Sequence, residues 1–298
     1  MRSVSEEPVP LHEEFIYCCG AATHVLKCGP WKDLSKDESK NLPRLLFMII
    51  PGNPGLAGYY RTFIQALYCG LNQQYPVWVV SHAGHYLPKK IKKYKDVFGL
   101  NGQVEHKLNF LKKNVSKDIK LVLIAHSIGC YITLEMMKRA SELQNCCVLT
   151  LLHVSFSTAN ILYMASQEMM KVVERDSTTI KQNLKKLIFY YGTGDSWCPQ
   201  HYYDEIKMDF PDGDIRLCEK GLRHAFVLDA SKEMALLPPH SPAGELSGMA
   251  LGQPSWPALE RNTRLLCVDK NPPVNRSWQW ILVCCGRPCP LHMAHASM

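Results

Sequence analysis

A serine follows a continuous apolar run and stands in the string Ala125-His-Ser-Ile-Gly129. Residues 121–124 before it have the composition of a buried strand, and a helical pattern begins directly after the serine. On such a sharp strand-to-helix turn, a serine hydroxyl projects above the sheet edge, where a histidine and backbone N–H groups can reach it. Ser127 is therefore the candidate nucleophile of an acyl-transfer reaction, although Ala125 stands where glycine is usual. The alternative is that Ser127 caps the following helix, since serine favours helix N-termini.

An acid and a base follow the serine along the chain. A strand predicted over 187–191 ends shortly before Asp195, and a strand predicted over 215–218 leads to a loop containing His224. An acid at the end of a strand can orient an imidazole, which then takes the proton of a serine hydroxyl. Taken singly, Asp195 could instead cap the next helix, and His224 could lie on the surface. The joint order Ser127, Asp195, His224 is the order of the α/β-hydrolase fold.

A loop with few side chains, Pro51-Gly-Asn-Pro-Gly55, follows the apolar strand predicted over 45–50. Acyl transfer needs two backbone N–H groups directed at the oxyanion, one after the nucleophile and one from a loop after an earlier strand. Ile128 and Asn53 fit these two places, and Pro54 is excluded because it has no N–H. The alternative is an ordinary turn, which Pro-Gly and Asn-Pro pairs mark in any protein.

Other histidines and acids near these segments are weaker candidates. His126 adjoins the nucleophile, but neighbours on such a turn point apart, so His126 is predicted to pack beside the site. Three further histidines follow apolar runs and are predicted to line a pocket or support the site: His82, His85 and His153. Two further acids lie in less suitable settings and are not selected: Asp176 and Asp229.

Strands alternate with helical patterns from residue 45 onward, which predicts an α/β fold with a mostly parallel sheet covered on both faces. Strands are predicted over 14–17, 23–27, 45–50, 77–80, 121–124, 148–152, 187–191 and 215–218. Helices are predicted over 60–71, 101–113, 129–140, 167–186 and 202–207. The first two strands are expected to form an antiparallel hairpin at the sheet edge. Residues 1–229 are thus assigned to one α/β-hydrolase domain and residues 230–298, which are rich in proline, to an irregular or disordered tail.

Composition and charge fit an enzyme-sized domain. Of the 298 residues, 46% are hydrophobic, which is enough for a sizeable core. The formal net charge of +7 invites a nucleic-acid interpretation. However, the dense basic cluster at 89–95 contains a single aromatic residue, which favours a solvated loop or one facing an anionic membrane. Nucleic acid is therefore not expected as a partner.

Cysteine usage and hydropathy bear on the compartment. The odd count of 13 cysteines is typical of free thiols in a reducing compartment. The N-terminus has no apolar signal core, and no stretch reaches the roughly 18 apolar residues of a spanning helix. We therefore expect synthesis in the cytosol and only peripheral contact with membranes. The cysteines and histidines between 284 and 295 match no structural zinc motif, so neither a metal nor another cofactor is predicted.

Four segments together resemble the lipid droplet-associated hydrolase family over roughly the first three quarters of the chain: Pro51-Gly-Asn-Pro-Gly-Leu-Ala-Gly-Tyr-Tyr60, Ala125-His-Ser-Ile-Gly129, Tyr190-Tyr-Gly-Thr-Gly-Asp-Ser-Trp-Cys-Pro199 and His224-Ala-Phe226. The resemblance implies a serine esterase of the α/β-hydrolase fold that acts on neutral lipid esters, such as sterol esters, without a cofactor. It implies peripheral attachment to lipid droplets and to the cytosolic face of the endoplasmic reticulum. It matches Ser127 to the nucleophile, Asp195 to the acid and His224 to the base.

The chain departs from the family pattern in two places. The family inserts a long apolar cap after the strand that follows the nucleophile helix, whereas residues 153–160 here make an almost direct connection. After Phe226 the family continues into a helix, whereas this chain turns into the proline-rich tail. We therefore expect a reduced or absent cap, as in an alternatively spliced form. The departures leave two alternatives open: a catalytically impaired module that binds lipid droplets or proteins, and a soluble esterase for small acyl groups.

Overall fold

Eight strands form one mixed sheet in the computed structural model, which describes residues 9–30, 32–35, 42–86, 97–140, 147–151, 159–195 and 198–236. The strands are β1 (Leu11–Cys18), β2 (Ala21–Cys28), β3 (Leu45–Ile50), β4 (Val77–Val80), β5 (Lys120–His126), β6 (Cys147–Leu151), β7 (Leu187–Gly192) and β8 (Asp214–Cys218). Their order across the sheet is β1-β2-β4-β3-β5-β6-β7-β8. The antiparallel pair β1 and β2 lies at one edge, and β3 to β8 run parallel. Both the edge hairpin and the parallel sheet were predicted from the sequence.

Eight α-helices cover the described part of this sheet. They are α1 (Arg61–Gly70), α2 (Leu100–Asn114), α3 (Ile128–Arg139), α4 (Ala159–Lys171), α5 (Ser177–Asn183), α6 (Gln200–Asp209), α7 (Phe226–Asp229) and α8 (Ser231–Ala235). A 3-10 turn, Ala57–Tyr60, precedes α1. Two hydrophobic clusters show that the helices occupy both faces. One cluster joins the sheet to α2, α3, α5 and α6, and the other joins it to α1, α7 and α8.

Burial on both faces explains the composition of the central strands. In β4 every residue is buried, and in β3 Met48 and Ile49 belong to opposite clusters although they are neighbours in the chain. Successive side chains of a strand point to opposite faces, so a strand covered on both sides is apolar throughout. The edge strand β1 instead alternates between exposed and less exposed residues. The layers thus hold the parallel strands so that their carboxyl ends meet at one edge.

The prediction of one helix over 167–186 was wrong. The chain forms α4 and α5 instead, with a break between Lys171 and Ser177. Asp176 ends the helical pattern because its carboxylate caps α5: one oxygen accepts from the N–H of Thr179 at 3.1 Å, and the other from its hydroxyl at 2.8 Å. Asp176 also pairs with Lys138 at 3.0 Å, which accounts for this acid structurally.

The helix α8 lies within the residues that the sequence assigned to the tail. Ala230 and Ala235 are buried in the same cluster as Phe63 and Ile64 of α1, and the Ser231 hydroxyl donates to the Val227 carbonyl at 3.1 Å. Ordered structure therefore continues to residue 236, past the predicted boundary at 229. Residues 237–298 lie outside the described residues, and their assignment to an irregular tail stays a prediction.

The helix α4 contains a buried carboxyl, Glu168, whose pKa is shifted by burial. Glu168 lies one helical turn from Met164 and from Val172, which pack against Leu100 and Ile128. Its side chain is only 5% exposed, and its Oε2 has no hydrogen-bond partner among the described residues. Desolvation raises the pKa of Glu168 to about 8, because burial disfavours the charged form. In the folded chain Glu168 therefore retains its proton to higher pH than in the unfolded chain, so ionisation of Glu168 opposes folding.

Glutamine at position 168 is expected to stabilise the fold above pH 5. A raised folded-state pKa costs nothing below the unfolded value near 4.5 and costs progressively more as the pH rises toward 8. The gain in unfolding free energy from Glu168→Gln should therefore increase from near zero at pH 4.5 to about 2–4 kcal/mol at pH 7–8. Denaturant melts at several pH values measure this gain, with the exposed Glu205→Gln on α6 as a charge-matched control. A gain independent of pH would contradict the burial argument.

Candidate active site

Ser127 occupies the turn between β5 and α3 with an unusual backbone conformation. Its φ and ψ are 56° and −126°, in a region that residues with a side chain rarely adopt. Such strain persists at functional sites because the surrounding structure enforces it. Within the described part of the chain, the Ser127 side chain makes no capping hydrogen bond to α3. The alternative of a simple helix cap is therefore not what the structure shows.

The residues beside the serine are small because the turn packs against the end of β3. A Cβ atom on Gly129 would lie 2.4 Å from the carbonyl oxygen of Ile50 and 2.6 Å from that of Pro51. Ala125 is fully buried and pairs with Ile50 in the parallel ladder between β3 and β5. The alanine is tolerated there, whereas position 129 leaves no space for a side chain. The same contact places the 51–55 loop next to the serine turn.

Asp195 and His224 meet although 29 positions separate them in the chain. His224 Nδ1 is hydrogen-bonded to Asp195 Oδ2, and both side chains are 4% exposed. The second carboxylate oxygen accepts from the Cys198 N–H at 2.9 Å, so Asp195 also supports the turn that leads into α6. Asp195 follows β7 and His224 follows β8, and these strands are parallel neighbours. The topology thus brings the predicted acid and base together.

Burial sets the protonation state of His224. Desolvation lowers the pKa of His224 below its usual value of 6.5, and the hydrogen bond to Asp195 opposes part of this shift. The imidazole is therefore neutral near pH 7, which is the state that accepts a proton. Since a carboxylate only accepts hydrogen bonds, the ring proton is assigned to Nδ1. This tautomer leaves the Nε2 lone pair as the basic site.

His126 connects the serine turn with the loop that contains the base. Its ring centre lies 6.4 Å from that of His224 and 4.9 Å from that of Phe226. On another side, the hydroxyl of Tyr60 is hydrogen-bonded to His126 Nδ1. As predicted, His126 packs beside the site. Tyr60 was not selected as a site residue from the sequence, since no local pattern marks a contact between an aromatic residue near a loop and a distant histidine.

The two predicted oxyanion donors lie at the same edge of the sheet as the serine. Asn53 and Ile128 are 2% and 3% exposed, the first in the 51–55 loop and the second at the start of α3. Two other N–H groups of the loop are committed to side chains. That of Gly52 donates to the Tyr60 hydroxyl at 2.8 Å, and that of Gly55 to His85 Nδ1 at 2.9 Å. Neither of these two groups is a candidate for the oxyanion.

His82 and His85 pack behind the 51–55 loop. The backbone N–H of His82 donates to the Gly55 carbonyl at 2.7 Å, and both rings are buried. Burial, reinforced by the nearby ammonium of Lys107, lowers the pKa of His85 to about 3. His85 therefore stays neutral and its Nδ1 remains an acceptor for Gly55. The two histidines support the loop, in agreement with the prediction.

The remaining candidates either lie away from this arrangement or fall outside the described residues. Asp229 forms an ion pair with Arg223 on the surface. His153, the basic cluster at 89–95 and the cysteines and histidines after 284 lie outside the described residues. The described ranges contain no group of three or more His, Cys, Asp or Glu residues placed to hold a metal ion. A cavity of about 20 Å³ beside Asp195 and His224 has room for a water molecule rather than an ester.

The comparison with known proteins shows the family to which this chain belongs. The model of the family described as lipid-droplet associated hydrolase matches residues 43–156 and 148–227, which is more than half of the chain. A relative from Gallus gallus named lipid droplet-associated hydrolase is 69% identical over 80% of this chain and 96% of its own length. The chain belongs to the lipid droplet-associated hydrolase family. A member from Homo sapiens is 43% identical over 84% of this chain and 100% of its own length.

These alignments also locate a difference between this lipid droplet-associated hydrolase family member and its relatives. Four-fifths of 298 residues is about 238, so about 74 of the 312 aligned positions of the Gallus gallus relative have no counterpart here. The family model matches in two pieces that meet at 148–156, where β6 leads to α4. This supports the predicted cap reduction. The connecting residues 152–158 lie outside the described residues, so the reduction stays a prediction.

Solved structures confirm the fold of this family member. A hydrolase from Thermoplasma acidophilum, described as CIB-like, superposes with a TM-score of 0.52 at 16% identity. The match covers 76% of this chain and 95% of that one. At such low identity the likeness shows the fold alone, and the predicted α/β-hydrolase architecture is thereby confirmed. In the part of the chain that the structure describes, no helix has the length and hydropathy needed to cross a membrane.

Proposed function

We propose that this chain is a serine hydrolase that cleaves carboxylic esters of neutral lipids through an acyl-enzyme. The observation that carries the proposal is the buried Asp195–His224 hydrogen bond at the same sheet edge as the strained Ser127 turn. An oriented neutral imidazole and a serine on a strained turn at the same edge of the sheet are the groups that such a reaction uses to activate a hydroxyl for attack on a carbonyl. The reaction needs no metal or organic cofactor.

The chemistry follows from the roles of three side chains. The Ser127 oxygen attacks the ester carbonyl carbon while its proton passes to His224 Nε2, and Asp195 stabilises the imidazolium that forms. The N–H groups of Asn53 and Ile128 bind the oxyanion. Collapse of the tetrahedral intermediate expels the alcohol, which takes the proton from His224. Water then attacks the acyl-enzyme by the same route, releases the fatty acid and restores the serine hydroxyl.

The proposed substrate and location rest on the family resemblance. The relatives are called lipid droplet-associated hydrolases, which supports action at lipid droplets. As substrates we propose neutral lipid esters, sterol esters among them. The place of action is the lipid droplet surface and the cytosolic face of the endoplasmic reticulum, with peripheral attachment. The roughly 74 missing positions favour one other candidate, a module that binds droplets or proteins with impaired turnover. Lids and apolar caps select lipid substrates, so their loss affects turnover first.

A fluorophosphonate probe tests the proposal on the purified protein. We expect one covalent adduct per chain, and peptide mass spectrometry should place it on Ser127, because only an activated serine reacts with this probe. Replacing an exposed serine of α4, Ser166→Ala, serves as the control and should leave labelling unchanged. An adduct on another serine would exclude Ser127 as nucleophile. Absence of labelling, together with retained droplet binding, would support the module without turnover.

A further inference from the structure

We propose that Tyr60 is a positioning residue that fixes the two backbone oxyanion donors relative to each other. The inference rests on the proposed function, since it concerns the oxyanion site of that reaction. One donor belongs to the 51–55 loop and the other to the start of α3. These segments come from different parts of the chain. The hydroxyl of Tyr60 contacts the loop at Gly52 and the side chain of His126, the last residue of β5 before the serine turn.

The contacts place one oxygen atom between the two segments. The Tyr60 hydroxyl accepts from the N–H of Gly52 at 2.8 Å, and it is hydrogen-bonded to Nδ1 of His126. Gly52 directly precedes Asn53 in the loop. His126 directly precedes Ser127 and lies two residues before Ile128. One bond therefore holds the backbone next to Asn53, and the other holds the side chain of a residue two positions before Ile128.

The direction of one hydrogen bond follows from the chemistry of the groups. The Gly52 N–H can only donate, so the tyrosine oxygen accepts there. For the second bond, we assign the tyrosine proton to His126 Nδ1, as the acceptor. Burial raises the pKa of Tyr60, so the phenol keeps that proton. With this assignment, Nδ1 of His126 is the acceptor. The chain of hydrogen bonds from the Gly52 N–H through the Tyr60 hydroxyl to His126, here called the bridge, thus holds the imidazole in place.

Burial makes the bridge rigid. Tyr60 is 2% exposed at the end of the 3-10 turn, and its ring packs in the cluster that contains Phe63 and Ile64. The 51–55 loop is held a second time at Gly55 by His85. With both ends fixed, the backbone at Asn53 has little freedom to move relative to α3. A preorganised donor pair is what stabilises an oxyanion, because no reorganisation is needed as charge develops.

Removal of the Tyr60 hydroxyl should lower kcat and leave KM nearly unchanged. The oxyanion donors act most strongly in the transition state, so their displacement affects the chemical step rather than substrate binding. For Tyr60→Phe, which keeps the buried ring, we expect kcat on a p-nitrophenyl ester to fall about 10- to 100-fold. The adjacent tyrosine, Tyr59, is 41% exposed on the same turn, and Tyr59→Phe should stay within about twofold of the parent.

Variants at the other end of the bridge test the same bond. Asparagine places an acceptor near the position of the histidine Nδ1, whereas leucine does not. We expect His126→Leu to match Tyr60→Phe and His126→Asn to recover much of the lost kcat. Rates are normalised to the fraction of chains that the fluorophosphonate finally labels, so a poorly folded variant does not imitate the effect. If Tyr60→Phe does not fold, the kcat values of His126→Leu and His126→Asn test the proposal instead.

A spectroscopic measurement separates a bond from mere packing. Nitrogen NMR of 15N-histidine-labelled protein should show His126 unprotonated at Nδ1 in the parent and in Tyr59→Phe, with that resonance shifted in Tyr60→Phe. A protonated Nδ1 in the parent, or a Tyr60→Phe protein with parental kcat, would overturn the positioning role while leaving the proposed function intact. Failure of the parent itself to react with the fluorophosphonate would instead overturn the proposed function, and this role with it.

Discussion

Alanine at position 127 is expected to reduce ester hydrolysis by about 10⁶-fold, because the catalytic oxygen is lost and no other group can form the acyl-enzyme. The backbone at this turn is already strained with φ at 56°, and alanine tolerates that conformation no worse than serine. The thermal midpoint of Ser127→Ala should therefore stay close to that of the parent. Turnover of a p-nitrophenyl ester and fluorophosphonate labelling measure the loss directly.

Combining Ser127→Ala with a substitution of the proposed base, His224, shows whether the two residues act in the same catalytic step. The double variant Ser127→Ala, His224→Ala should lose no more activity than Ser127→Ala alone, since a base without a nucleophile has nothing to activate. Additive losses would mean that His224 acts elsewhere. Fluorophosphonate labelling that persists in Ser127→Ala would remove Ser127 from the mechanism, whatever the hydrolysis rates are.

Local sequence patterns predicted the strands that carry the site. The bounds of β3 and β4 agree with the prediction because a strand buried on both faces is an uninterrupted apolar run. The approach of Asp195 to His224 was predictable for a related reason. In a parallel sheet, residues that follow neighbouring strands emerge at one edge, so chain order and strand pattern together fix the pairing.

Contacts between distant segments were not predictable in the same way. The bridge from Gly52 through Tyr60 to His126 depends on how the turn before α1 packs against the sheet, which no periodicity encodes. The break between α4 and α5 was missed because propensity alone continues the helix, whereas the Asp176 cap starts a new one. The folding of α8 was missed because proline-rich residues after it suggested a tail throughout.

Asparagine at position 195 is expected to lower kcat by about 10⁴-fold, because it changes which ring nitrogen of His224 carries the proton. The Asp195 carboxylate accepts a hydrogen bond from the Nδ1–H group of His224. The ring proton therefore stays on Nδ1, and the Nε2 lone pair is left as the base. An amide nitrogen in its place donates instead, which moves the ring proton to Nε2 and removes that base. The other side-chain oxygen can still accept from the Cys198 N–H, so the turn before α6 should be retained.

The same substitution has a defined effect on pH dependence. Asp195 raises the pKa of His224 against the larger effect of burial, so its removal should lower that pKa further. The residual activity of Asp195→Asn should consequently extend to lower pH than that of the parent, on a plateau about 10⁴-fold lower. Profiles of kcat between pH 4 and 9 measure both effects. Asp229→Asn serves as the charge-matched control, since this acid forms an ion pair with Arg223 at the surface. If the kcat plateau of Asp195→Asn equalled that of the parent, His224 would be oriented without Asp195. If the acid limb of its kcat profile moved to higher pH, the carboxylate would not stabilise the imidazolium.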